Sequence, residues 1–99
     1  MVSTGIQISI NVMSPIVTND RITAEGNAII LKNAGDEVVT LDNGFTLPVG
    51  AAVTFRTGQD ENYIIWNIRV SFDGTGVNPR LEIATMVPNI EGYANYKYR

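Results

Sequence analysis

The feature that most constrains the fold of this chain is a dense series of short apolar runs and turn sequences between residues 27 and 55. Four apolar runs are separated by the turns Asn33-Ala34-Gly35-Asp36, Asp42-Asn43-Gly44 and Pro48-Val49-Gly50. Runs of this length are too short for helices but are typical of a β-meander. We therefore expect an all-β protein.

The rest of the chain adds further predicted strands with apolar residues at every second position. Ile6, Ile8, Ile10 and Val12 share one face of a half-buried first strand, and Arg21–Ala24 fits a short edge strand. In the longest strand, Tyr63–Phe72, one side should lie at the centre of the core: Ile64, Trp66, Ile68, Val70 and Phe72. A strand at 27–32 should be central and buried on both faces. The other predicted strands are 38–41, 45–47, one containing Val53 and Phe55, and 80–87, which is ended by Pro88.

About seven strands at this spacing predict a single small antiparallel β-sandwich, Ig-like or jelly-roll-like, or a small barrel. Ninety-nine residues suit one domain. We place the sandwich domain at residues 1–88 and a C-terminal arm at residues 89–99, because the arm has no strand period.

The chain lacks the residue types on which most catalysis depends, since it contains no histidine and no cysteine. Ser-His-Asp and Cys-His arrangements are thereby excluded, and so are the usual soft-metal ligands. The acidic pairs Asp36/Glu37 and Asp60/Glu61 lie in polar turns, where we expect solvated carboxylates. We predict neither an enzyme nor a bound cofactor.

Calcium, whose ligands are oxygens, is the metal most open to such a chain. Two segments faintly suggest calcium loops, Asp42-Asn43-Gly44 and Asp73-Gly74-Thr75-Gly76. Neither has the ligand spacing of a calcium loop, and we predict ordinary turns and no metal site.

Charge and hydropathy argue against two classes of partner. The net charge of −3 gives no basis for binding nucleic acid along a broad face. No apolar run approaches the ~20 residues needed to cross a bilayer, and no secretion signal is apparent at the start of the chain. The absence of cysteine suits a protein made in a reducing cytoplasm.

Two groups of aromatic residues have both a structural and a functional interpretation. Trp66 is in register with core positions, which favours a core role over an exposed sugar-stacking role. The arm combines three tyrosines with two cations: Tyr93, Tyr96, Lys97, Tyr98 and Arg99. It is either a frayed end or a partner-binding arm, because tyrosine and arginine are enriched in interface hot spots.

Three segments resemble small β-sandwich structural proteins of tailed bacteriophage virions, which include capsid-decoration, head-fibre and tail components. They are Ile30-Leu31-Lys32-Asn33-Ala34-Gly35 continued by Val39-Thr40-Leu41, the segment from Gly44 to Gly50 followed by Val53-Thr54-Phe55, and Val70 to Gly76. The resemblance covers about half of the chain and consists mostly of turn sequences. It implies a virion role without catalytic residues.

Our leading hypothesis is a non-enzymatic virion structural protein, a capsid accessory or decoration subunit made in the host cytoplasm. Its partners would be copies of itself, as a homo-oligomer, and other virion structural proteins, with no small-molecule substrate. The alternative is a carbohydrate-binding or adhesive module of a host-attachment apparatus. That module would need two exposed aromatic residues on one surface, for which Tyr63 and one tyrosine of the arm are candidates.

Overall fold

The protein is an all-β sandwich in a computed structural model that describes residues 8–42, 44–56 and 64–88. The described residues form eight strands and no helix. The strands are β1 (Ile8–Val12), β2 (Asp20–Gly26), β3 (Ala28–Asn33), β4 (Val39–Leu41), β5 (Phe45–Leu47), β6 (Ala52–Arg56), β7 (Ile64–Phe72) and β8 (Leu81–Pro88). The predicted fold class is confirmed, with eight strands where about seven were expected. The described residues accordingly contain no helix long and apolar enough to cross a membrane.

The strands pair in a nested order, the first with the last and so on inward. β1 pairs with β8, β2 with β7, β3 with β6 and β4 with β5, all antiparallel. Pairing of β3 with β8 and of β4 with β7 then completes two four-stranded sheets, β1-β8-β3-β6 and β2-β7-β4-β5. A nested hairpin rolled into two sheets is the jelly-roll arrangement, so the jelly-roll-like form of the prediction is the one observed.

The core lies between the two sheets and is built from alternate residues of β2, β3, β4, β7 and β8 together with Leu47 of β5, as the period of two requires. Ile68 and Val70 of β7 are buried, and Trp66 and Phe72 pack against the core, as predicted. Ile64, at the start of β7, is exposed instead, so that part of the prediction is wrong. The other buried members are Ile22, Ile29, Leu31, Val39, Leu41, Leu47, Leu81 and Ile83.

The predicted burial of the first strand is also wrong, because Ile10 is 60% exposed and Val12 81% exposed. Their register partners on β8 are Met86 and Ala84, whereas the core-facing residues of β8 are Leu81, Ile83 and Thr85. Cross-strand partners point to the same face of a sheet. The apolar side of β1 therefore faces outward, and its position at the sheet edge leaves it uncovered.

Asn33, the last residue of β3, ties the β3–β4 connection to the end of β5. Its side chain is fully buried, and its Nδ2 group donates to the carbonyl oxygens of Glu37 (2.8 Å) and Leu47 (2.9 Å). Its Oδ1 atom accepts from the Gly35 N–H at 3.2 Å. A turn residue in the sequence is thus a buried polar anchor in the fold.

Candidate functional site

The five residues predicted to bind a partner lie outside the described part of the chain. These are Tyr93, Tyr96, Lys97, Tyr98 and Arg99 of the arm, and Tyr63 and the Asp60/Glu61 pair also lie outside it. The described residues instead present two surfaces suited to binding, at the two lateral edges of the sandwich. Sequence reasoning had not identified either of them.

The first surface is a cleft of about 490 Å³, called here the aromatic cleft. Phe45 of β5, Phe55 of β6 and Trp66 of β7 bring aromatic rings to it from both sheets. Phe45 and Phe55 meet edge to face with ring centroids 5.7 Å apart, and the centroids of Phe55 and Trp66 are 6.4 Å apart. Leu41, Asp42, Ile65, Asn67 and Ile68 complete the lining. An apolar cleft with a few polar groups is typical of binding sites.

Trp66 has a double role in this cleft. Its ring packs against the core, as its register predicted, and its Nε1 group donates to the Gly26 carbonyl oxygen at 3.2 Å. Its remaining exposed surface faces the cleft beside Phe55. The indole is therefore held in place by the core and is also available to a ligand.

The free edge of β7 forms one side of the aromatic cleft. β4 pairs with β7 only from Val70 to Phe72, so no described strand flanks β7 there from Ile64 to Asn67. Beyond the end of β4, the Asp42 N–H donates to the Arg69 carbonyl, and Asp42 Oδ1 accepts from the Arg69 N–H, both at 2.8 Å. Backbone groups of alternate residues point to the same side of a strand. The backbone N–H and C=O groups of Ile65 and Asn67 are thus directed toward the cleft.

The second surface is the β1 edge, defined as residues Ile8–Val12. The Met13 N–H donates to the Ile83 carbonyl at 2.9 Å, so the odd-numbered residues of β1 direct their backbone groups toward β8. Those of Ile8, Ile10 and Val12 point to the side that has no strand within the described chain. The edge contains no charged residue and no proline, which are the features that usually protect such edges.

A shallow groove of about 360 Å³ adjoins the β1 edge on the outward face of its sheet. Val12, Ile30 and Ala84 line its apolar part, while Lys32 and the Arg80–Glu82 ion pair (3.2 Å) form its polar end. Ile10 lies on the same face of the sheet as Val12, two residues away along β1, and is also exposed.

A third cluster, the carboxylate clip, joins the β3–β4 and β7–β8 connections. Glu37 was expected to be solvated but is only 4% exposed, and its Oε1 atom accepts from the Gly74 N–H at 2.6 Å. The Asp36 carboxylate accepts from the N–H groups of Val77 and Asn78, both at 2.9 Å. The carboxylates of the clip therefore bind backbone N–H groups of the same chain, and Glu37 is buried because its carboxylate accepts from the Gly74 N–H group.

These hydrogen bonds make two carboxyl groups of the clip region more acidic than usual. Donation from the N–H groups of Val77 and Asn78 lowers the pKa of Asp36. The hydroxyl and N–H groups of Thr75 lower the pKa of Asp73. Both shifts arise because hydrogen bonds stabilise the charged form. The segment from Asp73 to Gly76 is a turn, as predicted, and the described residues hold no cluster of three or more metal-ligating side chains.

No family model, curated protein or solved structure matches the chain.

Proposed function

We propose that the protein is a non-enzymatic structural subunit of a virus particle, a capsid accessory protein that joins a second copy of itself through the β1 edge. The observation that carries this proposal is the uncharged edge strand whose Ile10 and Val12 side chains are exposed to solvent. An apolar strand edge without charge or proline is a template for pairing with another chain.

A second copy fits this edge because the strand is self-complementary. Antiparallel pairing about a two-fold axis at Ile10 places Ile10 opposite Ile10 and Ile8 opposite Val12. No like charges meet, since Ile8-Ser9-Ile10-Asn11-Val12 is uncharged. Three hydrogen-bonded pairs would exchange about six backbone hydrogen bonds and form a continuous eight-stranded sheet.

The expected affinity is modest. Each new hydrogen bond contributes about 1 kcal/mol net, and each apolar cross-strand pair about 0.2–1 kcal/mol. Association costs at least about 4 kcal/mol in lost freedom of motion. The balance favours a reversible dimer, which further contacts within a particle would reinforce.

Two further features support the particle role. The turn sequences resemble those of virion sandwich proteins, and jelly rolls are frequent among viral capsid domains. One fold can have many functions, so the jelly roll supports the particle role by analogy. The exposed, uncharged β1 edge supports self-association on physical grounds.

The test of the dimer is the substitution Val12→Lys, which places a charge on the edge without disturbing the core. We expect the wild-type chain to dimerise with rising concentration in analytical ultracentrifugation, and the variant to remain a folded monomer. Val77→Lys is the matched control, because Val77 is also exposed but lies in the β7–β8 connection. Unchanged association in Val12→Lys would rule out the β1 edge.

The particle role has its own test, which is quantitative mass spectrometry of purified virions from the producing host. We expect the chain at a copy number comparable with that of a coat protein. Recovery only from the soluble lysate would contradict the proposal.

A further inference from the structure

We infer that the aromatic cleft receives the C-terminal arm of a neighbouring copy, which adds as a strand to the free edge of β7. The inference rests on the proposed assembly role and names the segment and the site through which copies are linked. It concerns a different surface from the β1 edge, so the two can be tested separately.

The geometry of the cleft suits an extended peptide with aromatic side chains. The backbone groups of Ile65 and Asn67 point toward the cleft, and an added strand would satisfy them. The rings of Phe45, Phe55 and Trp66 provide contacts for inserted aromatic side chains.

The arm has the pattern that such a site requires. In an extended Tyr96-Lys97-Tyr98-Arg99 segment, the two tyrosines share one face and the two cations share the other. The tyrosines would enter the cleft while Lys97 and Arg99 stay in water.

Charge favours the same pairing. Residues 1–88 contain five Lys or Arg against nine Asp or Glu, whereas residues 89–99 contain two against one. Asp42 lines the cleft, and Glu25 is the cross-strand partner of Ile65 on the outward face. Both carboxylates are exposed and border the cleft end of β7, while Arg69 lies farther along the strand.

Strand direction favours the arm of another copy over the chain's own arm. Gly26 pairs with Ile64, and the neighbouring Asn27 N–H donates to the Met86 carbonyl at 2.9 Å. The first residue of β7 and the last residues of β8 therefore lie at the same end of the sandwich. An arm that turned straight back from Pro88 into the cleft would run parallel to β7. A neighbour's arm can enter in the antiparallel direction, which continues the direction of β4 and is the slightly more stable pairing.

The absence of cysteine allows a direct test by disulfide trapping in the full chain. One variant carries Ile65→Cys on the cleft edge, and a second carries Asn67→Cys to test the neighbouring register. Each is mixed with a variant that carries Lys97→Cys on the arm. We expect the mixed and oxidised proteins to form a disulfide between the cleft variant and the arm variant. Thr54→Cys, an exposed position on β6 of the other sheet, is the matched control and should give only background cross-linking.

Two further substitutions test the contacts. Tyr98→Ala in the arm and Phe45→Ser in the cleft should each lower the cross-linked fraction by roughly fivefold or more, as expected for interface anchors. Tyr98→Ala changes the arm and leaves every residue that lines the cleft unchanged. Val49→Ser, another exposed apolar position, should leave the fraction unchanged.

Several results would overturn the inference. One is cross-linking no greater than with Thr54→Cys. Another is a disulfide that forms within a double variant, Ile65→Cys with Lys97→Cys, but not between the two single variants. A third is a change in the fluorescence of Trp66, the single tryptophan, on adding oligosaccharides but not on mutating the arm. Arm-to-cleft trapping that persists in Val12→Lys would show that the cleft functions without the β1 dimer. Dimerisation through β1 without trapping would leave the proposed function intact and overturn this inference alone.

Discussion

At the scale of single residues, the buried polar groups of this fold act as anchors for turns. Asn33 has no exposed surface, and its amide joins the Glu37 and Leu47 carbonyls to the Gly35 N–H group. All three partners are backbone groups, so no other side chain substitutes for the amide. A buried polar side chain of this kind specifies the path of the chain rather than a chemical activity.

Asn33→Ala is expected to destabilise the protein by about 3 kcal/mol, because each buried backbone group left without a hydrogen bond costs about 1–3 kcal/mol. The measurement is the shift of the urea unfolding midpoint, with unchanged m-value. Asn78→Ala is the control, since the Asn78 side chain is exposed and its loss should change stability by less than about 0.5 kcal/mol. Equal midpoints for the two variants would contradict the anchor role.

At the scale of elements, the two sheets hold together partly through their connections. The carboxylate clip links the β3–β4 connection to the β7–β8 connection through Asp36 and Glu37. Asp73 closes its own turn through Thr75. These connections position β4 and β8, the strands that complete each sheet.

The lowered pKa values of Asp36 and Asp73 predict a loss of stability in acid. A carboxyl group with a lower pKa in the folded state contributes its full stabilisation above its ordinary pKa of 3.8. That contribution disappears as the pH falls below 3.8 and through the folded-state pKa. We therefore expect the melting temperature to fall below about pH 4.

Asp36→Asn combined with Asp73→Asn should flatten this acid dependence, as measured by thermal unfolding between pH 2 and 6. Thr75→Ala is an intermediate test, because it removes one donor to Asp73 and keeps the carboxyl group. An acid dependence as steep in the double variant as in the wild type would show that other carboxyl groups are responsible.

At the scale of the whole molecule, the jelly roll places the β1 edge and the aromatic cleft on opposite sides of the sandwich. β1 is the outermost strand of its sheet, and the cleft lies where β5, β6 and the start of β7 meet. The proposed β1 pairing and arm docking would together link each subunit to more than one neighbour, as the proposed role in a particle requires.

Self-association through β1 should make the stability depend on concentration, because dimerisation stabilises the folded state by mass action. We expect the melting temperature of the wild-type chain to rise by a few degrees over a hundredfold increase in protein concentration. Val12→Lys should abolish the rise, while Val77→Lys should retain it. A concentration-independent melting temperature in the wild type would argue for a monomer.

The sequence by itself determined the fold class and most of the strands, since turn residues and the period of two act locally. The hairpin between β4 and β5 was recognised from Asn43-Gly44, and the buried centre of β7 from the alternation around Ile68. The side of β1 that faces the core was not determined, because an alternating strand has the same pattern whether its apolar side is buried or free.

Only the tertiary structure decided the outward direction of Ile10 and Val12, the burial of Glu37 and the existence of the aromatic cleft. Each depends on partners far away in the chain: β8 for β1, Gly74 for Glu37, and three separate strands for the rings of Phe45, Phe55 and Trp66. Local patterns contain no information about which distant segments meet. Strand order and register supply it, and they arise from packing of the whole chain.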